Sequence, residues 1–308
     1  MDLSIVTTLY RSSPYVREFH RRASTAAAAA GLADCEFVFV NDGSPDDAAD
    51  VAIALRRDDP RVVVVDLSRN FGHHKAMMTG LAHARGRLVF LIDCDLEEAP
   101  EWLGRFHHHM QGSGADVVFG QQARRRGGWF ERASGTAFYR AMDRLSDQPM
   151  PPNQVVARLM TRRYVDALLA HRDHDLYIDG LWAATGFRQD AVAIEKLHKG
   201  TSSYSLPRKL ALAVNAVTSF SSKPLVLISY LGVTISAVSI VAACGLVVGR
   251  AFVRFDAGWP SLIVSIWFLG GLTILCLGVI GLYVAKIFTE SKDRPYTIVR
   301  QVHGREQA

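Results

Sequence analysis

Two long runs without a charged side chain limit this 308-residue chain more than any other feature of it. No Asp, Glu, Lys or Arg falls between Lys223 and Arg250, and none between Ala257 and Ala285. A transmembrane helix needs about 20 consecutive, mostly apolar residues. Core helices of soluble domains rarely stay charge-free for so long, so the runs predict two membrane spans, at about 225–249 and 261–287. The link between them is short, which makes the pair a hairpin with both chain ends on one side. Lys199, Arg208, Lys209 and Lys223 precede the first run, and Lys286, Lys292, Arg294 and Arg300 follow the second, against Arg250 and Arg254 in the link. The positive-inside rule then places the N-terminal part and the tail in the cytoplasm. The first residues lack the basic region, apolar stretch and cleavage site of a signal peptide. A formal charge of +5 suits a membrane face carrying anionic lipid rather than nucleic acid. Of four cysteines, Cys244 and Cys276 fall in the runs, and Cys35 and Cys94 are isolated, so neither disulfides nor a cysteine metal site is expected.

Ahead of the runs, strand and helix patterns alternate. Strands are expected at 3–9, 35–40, 62–67, 88–92 and 116–120, and helices at 15–30, about 48–57 and about 75–84. Ser12 or Ser13 would cap the first helix and Gly31 would stop it. Alternation of this kind implies a mostly parallel sheet with helices on both faces. The division expected is a soluble domain over 1–203, an amphipathic juxtamembrane segment over 204–223, the hairpin over 224–288 and a tail over 289–308. Adjacent residues on a helix point in different directions, so His107-His-His109 reads as helix surface rather than a metal cluster.

The chemistry concentrates where the strand 88–92 ends, in Asp93-Cys-Asp95. Carboxylates at i and i+2 fall on one side of an extended chain. There they suit a hard divalent cation, Mg²⁺ or Mn²⁺, bridging to substrate phosphates. Open α/β sheets bind ligands just beyond the carboxyl ends of their strands. The same pattern also fits a polar strand exit with solvated aspartates. Neither G-x-G-x-x-G after a strand nor G-x-x-x-x-G-K-[ST] occurs, so a nucleotide would be held by the metal and by Asp42, whose side chain can accept from a base or ribose. Asp42-Gly-Ser-Pro45 also reads as a plain turn.

Several blocks in order carry a resemblance: Ser4-Ile-Val-Thr-Thr-Leu-Tyr10, Val40-Asn-Asp-Gly-Ser44, Ser68-Arg-Asn-Phe-Gly-His73 and Ile92-Asp-Cys-Asp-Leu96. Phe138-Tyr-Arg140, Arg158-Leu-Met160, Gly180-Leu-Trp182 and Thr218-Ser-Phe-Ser-Ser-Lys-Pro224 follow, and Arg294-Pro-Tyr296 ends the series. The chain resembles family 2 glycosyltransferases, and among them the polyprenyl-phosphate enzymes, over nearly its whole length. The resemblance implies a GT-A-like, Rossmann-type nucleotide-sugar domain followed by juxtamembrane helices and a two-helix transmembrane hairpin. It implies a metal-dependent, inverting transfer from a nucleotide-sugar, UDP-linked by preference, to polyprenyl (undecaprenyl) phosphate at the bacterial inner membrane, for a surface polysaccharide or lipid. Asp42 would contact the base, Asp93 the ribose or metal, and Asp95 the metal and diphosphate. Leu9, Tyr10, Asn70 and His73 would line the nucleotide site. Some relatives form tetramers, so a homo-oligomer is a further expectation. An acceptor that is already an anion needs cations to hold it, and Arg125, Arg158 and Lys209 are the candidates, Arg158 also counting with Asp93 and Asp95 as catalytic.

The chain departs from its relatives at several positions. The family's aspartate before Arg-Leu-Met falls on Val156, one arginine falls on Gln122, and two more fall on Ile194 and Leu197. Lys196 and Lys199 lie near enough to compensate for the arginines, and Asn153, Gln154 or Glu195 could take over from the aspartate. The alternative is a weak or inactive paralogue, a membrane-bound protein that keeps the nucleotide half alone.

Overall fold

The computed structural model describes residues 1–122, 151, 153–171, 173, 178–195, 223–249, 258–292 and 294–304. They form two compact units. The first opens with β1 (Leu3–Leu9), α1 (Ser13–Ala29), β2 (Cys35–Asn41), α2 (Ala48–Asp58) and β3 (Val62–Leu67). It continues with α3 (His73–His83), β4 (Leu88–Leu91), α4 (Trp102–Ser113), β5 (Val117–Gln122) and β6 (Gln154–Thr161). Two short helices, α5 (Arg162–Leu169) and α6 (Ile178–Ala184), precede β7 (Gln189–Ile194). The second unit carries α7 (Lys223–Gly249) and α8 (Trp259–Glu290). The chain then returns to the first unit as β8 (Val299–His303).

All eight strands share one sheet, ordered β7-β5-β6-β4-β1-β2-β3-β8. The centre is parallel: β1 pairs with β2 and β4, and β2 with β3. Every residue of β1 and β2 is buried, as continuous apolar strands covered on both faces require. β6 runs antiparallel to β4 and β5, and β8 antiparallel to β3. The segment expected as a tail therefore supplies an edge strand. Phe19 and Phe39 meet edge to face with centroids 6.0 Å apart, seating α1 on the sheet, and Phe90 and Phe106 do the same for α4 at 6.2 Å. α3 comes close because Gly80 has no side chain: a Cβ there would strike Val6 at 2.5 Å and Val40 at 2.9 Å.

The first helix meets one expectation at its end and departs from another at its start. Gly31 follows α1 with a φ of +72°, as a stop glycine should. Ser12 stands at the N-cap, yet its hydroxyl accepts from the Tyr10 amide at 3.1 Å instead of capping the helix. α4 carries the three histidines on its surface as expected, His107 meeting Gln111 and His109 meeting Asp190. In the second unit, Ser265–Glu290 is, among the described residues, the one helix long and apolar enough to cross a membrane, its most apolar 18-residue window having a mean hydropathy of 2.2, and α7 is apolar over the shorter Lys223–Ser239.

Candidate active site

The parallel strands β1, β2 and β4 end together, and their loops carry most of the expected nucleotide residues. Because β2 lies on one side of β1 and β4 on the other, the crevice at their carboxyl ends is where an open α/β sheet takes its ligand. Asp42 leaves β2 with its amide donating to the Leu9 carbonyl at 3.1 Å, which fixes it beside Leu9 and Tyr10. Leu9 is fully buried and contributes through its backbone, whereas the Tyr10 ring is exposed.

Asp42 is itself only 2% exposed. Its carboxylate accepts from the Phe71 amide at 2.7 Å and the Gly72 amide at 3.0 Å, while Asn70 donates its side-chain amide to the Asp42 carbonyl at 3.0 Å. Burial raises the pKa of this carboxyl above its ordinary value, against the opposing pull of the two amides and of His73 and Arg69. Gly43 makes the approach of the two loops possible: its φ is +58°, and a Cβ would collide with the backbone of Arg69 and Asn70.

His73 opens α3 and ties this loop to the acidic pair. One ring nitrogen shares a hydrogen bond with the Thr8 hydroxyl at 3.0 Å, and the other lies 3.3 Å from an Asp93 carboxylate oxygen. Burial pulls the imidazole pKa down, but the hydrogen bond to Asp93 and the charges of Asp93, Asp42 and Glu98 carry it above its ordinary value. Asp95 accepts from the Glu97 amide at 2.9 Å, and the turn continues through Leu96 at a φ of +62°, unusual for a bulky side chain. Cys94, between the aspartates, points into the core, and burial pushes its thiol far above the usual range. No group of three His, Cys, Asp or Glu side chains able to hold a metal occurs among the described residues. A carboxylate pair is nevertheless a donor set that fits Mg²⁺ or Mn²⁺, which keeps water and substrate oxygens as its remaining ligands.

Glu98 lies just beyond. It is fully buried and accepts from the Val156 amide at 3.2 Å and the Ala157 amide at 2.7 Å, pinning the start of β6 to the acidic loop. Arg158, two residues along β6, pairs in register with Leu91 of β4. It too is fully buried, and its guanidinium donates to the carbonyls of Val155 and Val156, both at 3.2 Å. The guanidinium carbon lies 2.8 Å from the centroid of the Trp182 ring. Among the described residues its Nη1 has no hydrogen-bond partner, and desolvation lowers its pKa to about 9. Arg158 therefore presents no exposed atom to a phosphate in this structure. Arg125 and Lys209, the other acceptor candidates, lie outside the described residues, as do Lys196, Leu197 and Lys199. Ile194 is buried and Glu195 exposed.

A cavity of about 280 Å³ adjoins the acidic loop. His74 and Met77 of α3, Glu98, Gln122, the segment from Asn153 to Val156, Asp179 and Trp182 are among the residues that line it. Neither Thr8, Glu98, Asp179 nor Trp182 stood out in the sequence as part of a site. The one available signal was proximity to quoted blocks: Thr8 and Trp182 lie within them, Glu98 two residues past one, and Asp179 immediately before another.

A sheet with acidic loops at the carboxyl ends of its parallel strands defines a GT-A-like α/β protein. Residues 4–169 match the model of glycosyl transferase family 2, and the chain belongs to that family. It is a glycosyltransferase. It is 54% identical over 305 residues to a Mycobacterium tuberculosis (strain CDC 1551 / Oshkosh) protein described as putative glycosyltransferases, covering 99% of this chain and 89% of that one. It is 32% identical to the SfII prophage-derived bactoprenol glucosyl transferase of Shigella flexneri, over 88% of each chain. An uncharacterized glycosyltransferase of Bacillus subtilis (strain 168), YkcC, is 32% identical over 99% of this chain and 95% of its own.

Proposed function

We propose that this glycosyltransferase moves one sugar, with inversion, from a UDP-sugar to the phosphate of a polyprenyl lipid such as undecaprenyl phosphate, at the cytoplasmic face of a bacterial inner membrane. The product would supply a sugar for a cell-envelope glycan. One observation carries the reading. A buried aspartate and a carboxylate pair meet at the carboxyl end of one sheet, in a chain that carries two apolar helices between β7 and β8 in sequence. The bactoprenol enzymes among the relatives support the lipid acceptor.

In this reading Asp42 accepts from the base, while Leu9, Tyr10 and Asn70 shape the loop against it. His73 orients the Asp93 carboxylate, which together with Asp95 would hold Mg²⁺ or Mn²⁺. The ion, when bound, neutralises the departing diphosphate. The acceptor is already an anion, so its phosphate oxygen attacks the anomeric carbon, and the bond to the nucleoside diphosphate breaks, without a strong base. A Val at position 156 is compatible with that chemistry. Arg158 acts from behind Trp182 as a buried positive charge, and Arg125 and Lys209 are the candidates for direct contact with the acceptor phosphate. Transfer in membranes supplied with undecaprenyl phosphate, radiolabelled UDP- and GDP-sugars and Mn²⁺ tests this. Labelled lipid is expected, lost with chelator and reduced at least about 100-fold by Asp95→Ala, the scale on which electrostatic stabilisation of a leaving group acts. Nucleotide-sugar binding with no lipid product from any sugar would favour the second reading, a nucleotide-sugar-binding paralogue, for which Val156 is the specific observation.

A further inference from the structure

A cavity lies beside the acidic loop, lined in part by residues outside the nucleotide and metal positions. Its position is set by His74, which follows the histidine bound to Asp93, and by Glu98, three residues after Asp95. It therefore adjoins the place where a diphosphate held by Asp93 and Asp95 would end. At about 280 Å³ it falls just below the roughly 300–1,000 Å³ of pockets for drug-sized ligands, a size suited to one sugar ring.

The lining groups narrow the occupant further. Asp179 of α6 is a carboxylate held by the side-chain amide of Gln154 at 3.1 Å. Gln122 and Asn153 add amides, and Asn153 is held at a φ of +57°. Trp182 is 2% exposed and, among the described residues, its indole N–H lacks a partner. Carboxylate, amides and an indole N–H together offer acceptors and donors, which is what a ring bearing several hydroxyls requires. A phosphate would instead meet the Asp179 charge. Glu98 also lines the cavity, but it is fully buried and already braces the Val156 and Ala157 amides. The family's aspartate position is a valine here, yet an acidic side chain still reaches this cavity, from α6 instead of β6.

We propose that this cavity is the donor-sugar subsite and that Asp179, braced by Gln154, selects the sugar by accepting hydrogen bonds from its hydroxyls. The inference rests on the donor reading above and assigns specificity to a residue outside the metal and nucleotide positions. The test uses the full chain in detergent with Mn²⁺, and measures dissociation constants of UDP and of a UDP-sugar panel by calorimetry for wild type, Asp179→Asn, Asp179→Ala and Gln154→Ala. Asp179→Ala should weaken the preferred UDP-sugar at least about tenfold and leave UDP within about twofold, the unchanged UDP affinity reporting an intact fold. Asp179→Asn should flatten the preference between epimeric sugars, and Gln154→Ala should act in the same direction more weakly. UDP-sugar and UDP weakened equally, or neither weakened, overturns the inference and leaves the donor reading standing. A wild-type protein that binds no nucleotide-sugar overturns both.

Discussion

A carboxylate almost shut off from water must be met by donors or it will not stay charged. Asp42 meets that condition with two backbone amides, those of Phe71 and Gly72, and so fixes a loop from the next strand along the sheet. Asp42→Ala would leave both N–H groups without their acceptor. At about 1–3 kcal/mol for each buried unsatisfied group, the loss is expected to be about 2–6 kcal/mol, with faster amide exchange at Phe71 and Gly72. UDP affinity should fall at least tenfold in the same variant, and calorimetry checks it. Asp42, Asp93 and Asp95 were legible in the sequence for a physical reason: they sit in polar loops directly after buried strands, where alternation and composition change together. Asn70 and His73 came from the family resemblance alone. Asp179 and Trp182 were not legible, because a seven-residue helix has too little periodicity to announce itself and meets β6 through tertiary structure alone. Arg158 shows another limit. Its strand pattern gives a register, but nothing in the local sequence says that a guanidinium will lie under an indole.

At the scale of elements, the parallel core followed from apolar runs, and the antiparallel additions did not. β6 carries Gln154 and Arg158 within its run, and β8 lies beyond the apolar helices, so neither reads as a neighbour of the central strands. β8 is nevertheless held firmly at the β3 edge. The Ser68 amide donates to the Ile298 carbonyl at 2.9 Å, Thr79 and Thr297 share a hydrogen bond at 2.8 Å, and Arg300 reaches Asp66 at 3.1 Å. The turn from α2 to β3 supplies a prediction about pH. The Arg61 guanidinium holds the Asp59 carboxyl down to about 2, burial opposing it and the Arg61 amide and His20 adding to it. A carboxyl depressed in the folded state contributes stability above its unfolded pKa of about 3.9. That contribution disappears as pH falls from about 4 through 2. Asp59→Asn should therefore cost about 2 kcal/mol at pH 7 and flatten the acid limb of the melting curve over that window, as thermal melts across pH would show.

For the whole molecule, connectivity constrains topology without reference to how the two units are arranged. The chain leaves the sheet unit after β7 and rejoins it at β8, so the proposed membrane topology requires α7 and α8 to cross as a pair. Single cysteines labelled with a membrane-impermeant maleimide in intact cells make this visible. Phe255→Cys, in the link between the helices, should react from outside, and Ser291→Cys only after permeabilisation. The reverse pattern would contradict a cytoplasmic sheet unit. Cys35 and Cys94 should stay silent in both, being buried with thiols raised above the usual pKa. The returning strand also sets an order in time. A ribosome delivers β1 to β7 first, then both apolar helices, and only then the residues that cover the open edge of β3. Until that moment β3 presents unpaired backbone groups, and Ser68 waits for its partner at Ile298. A copy in which the returning strand has not yet paired is thus a copy whose loop after β3 still lacks its Ser68 anchor, so the site is completed only by chain made after both apolar helices.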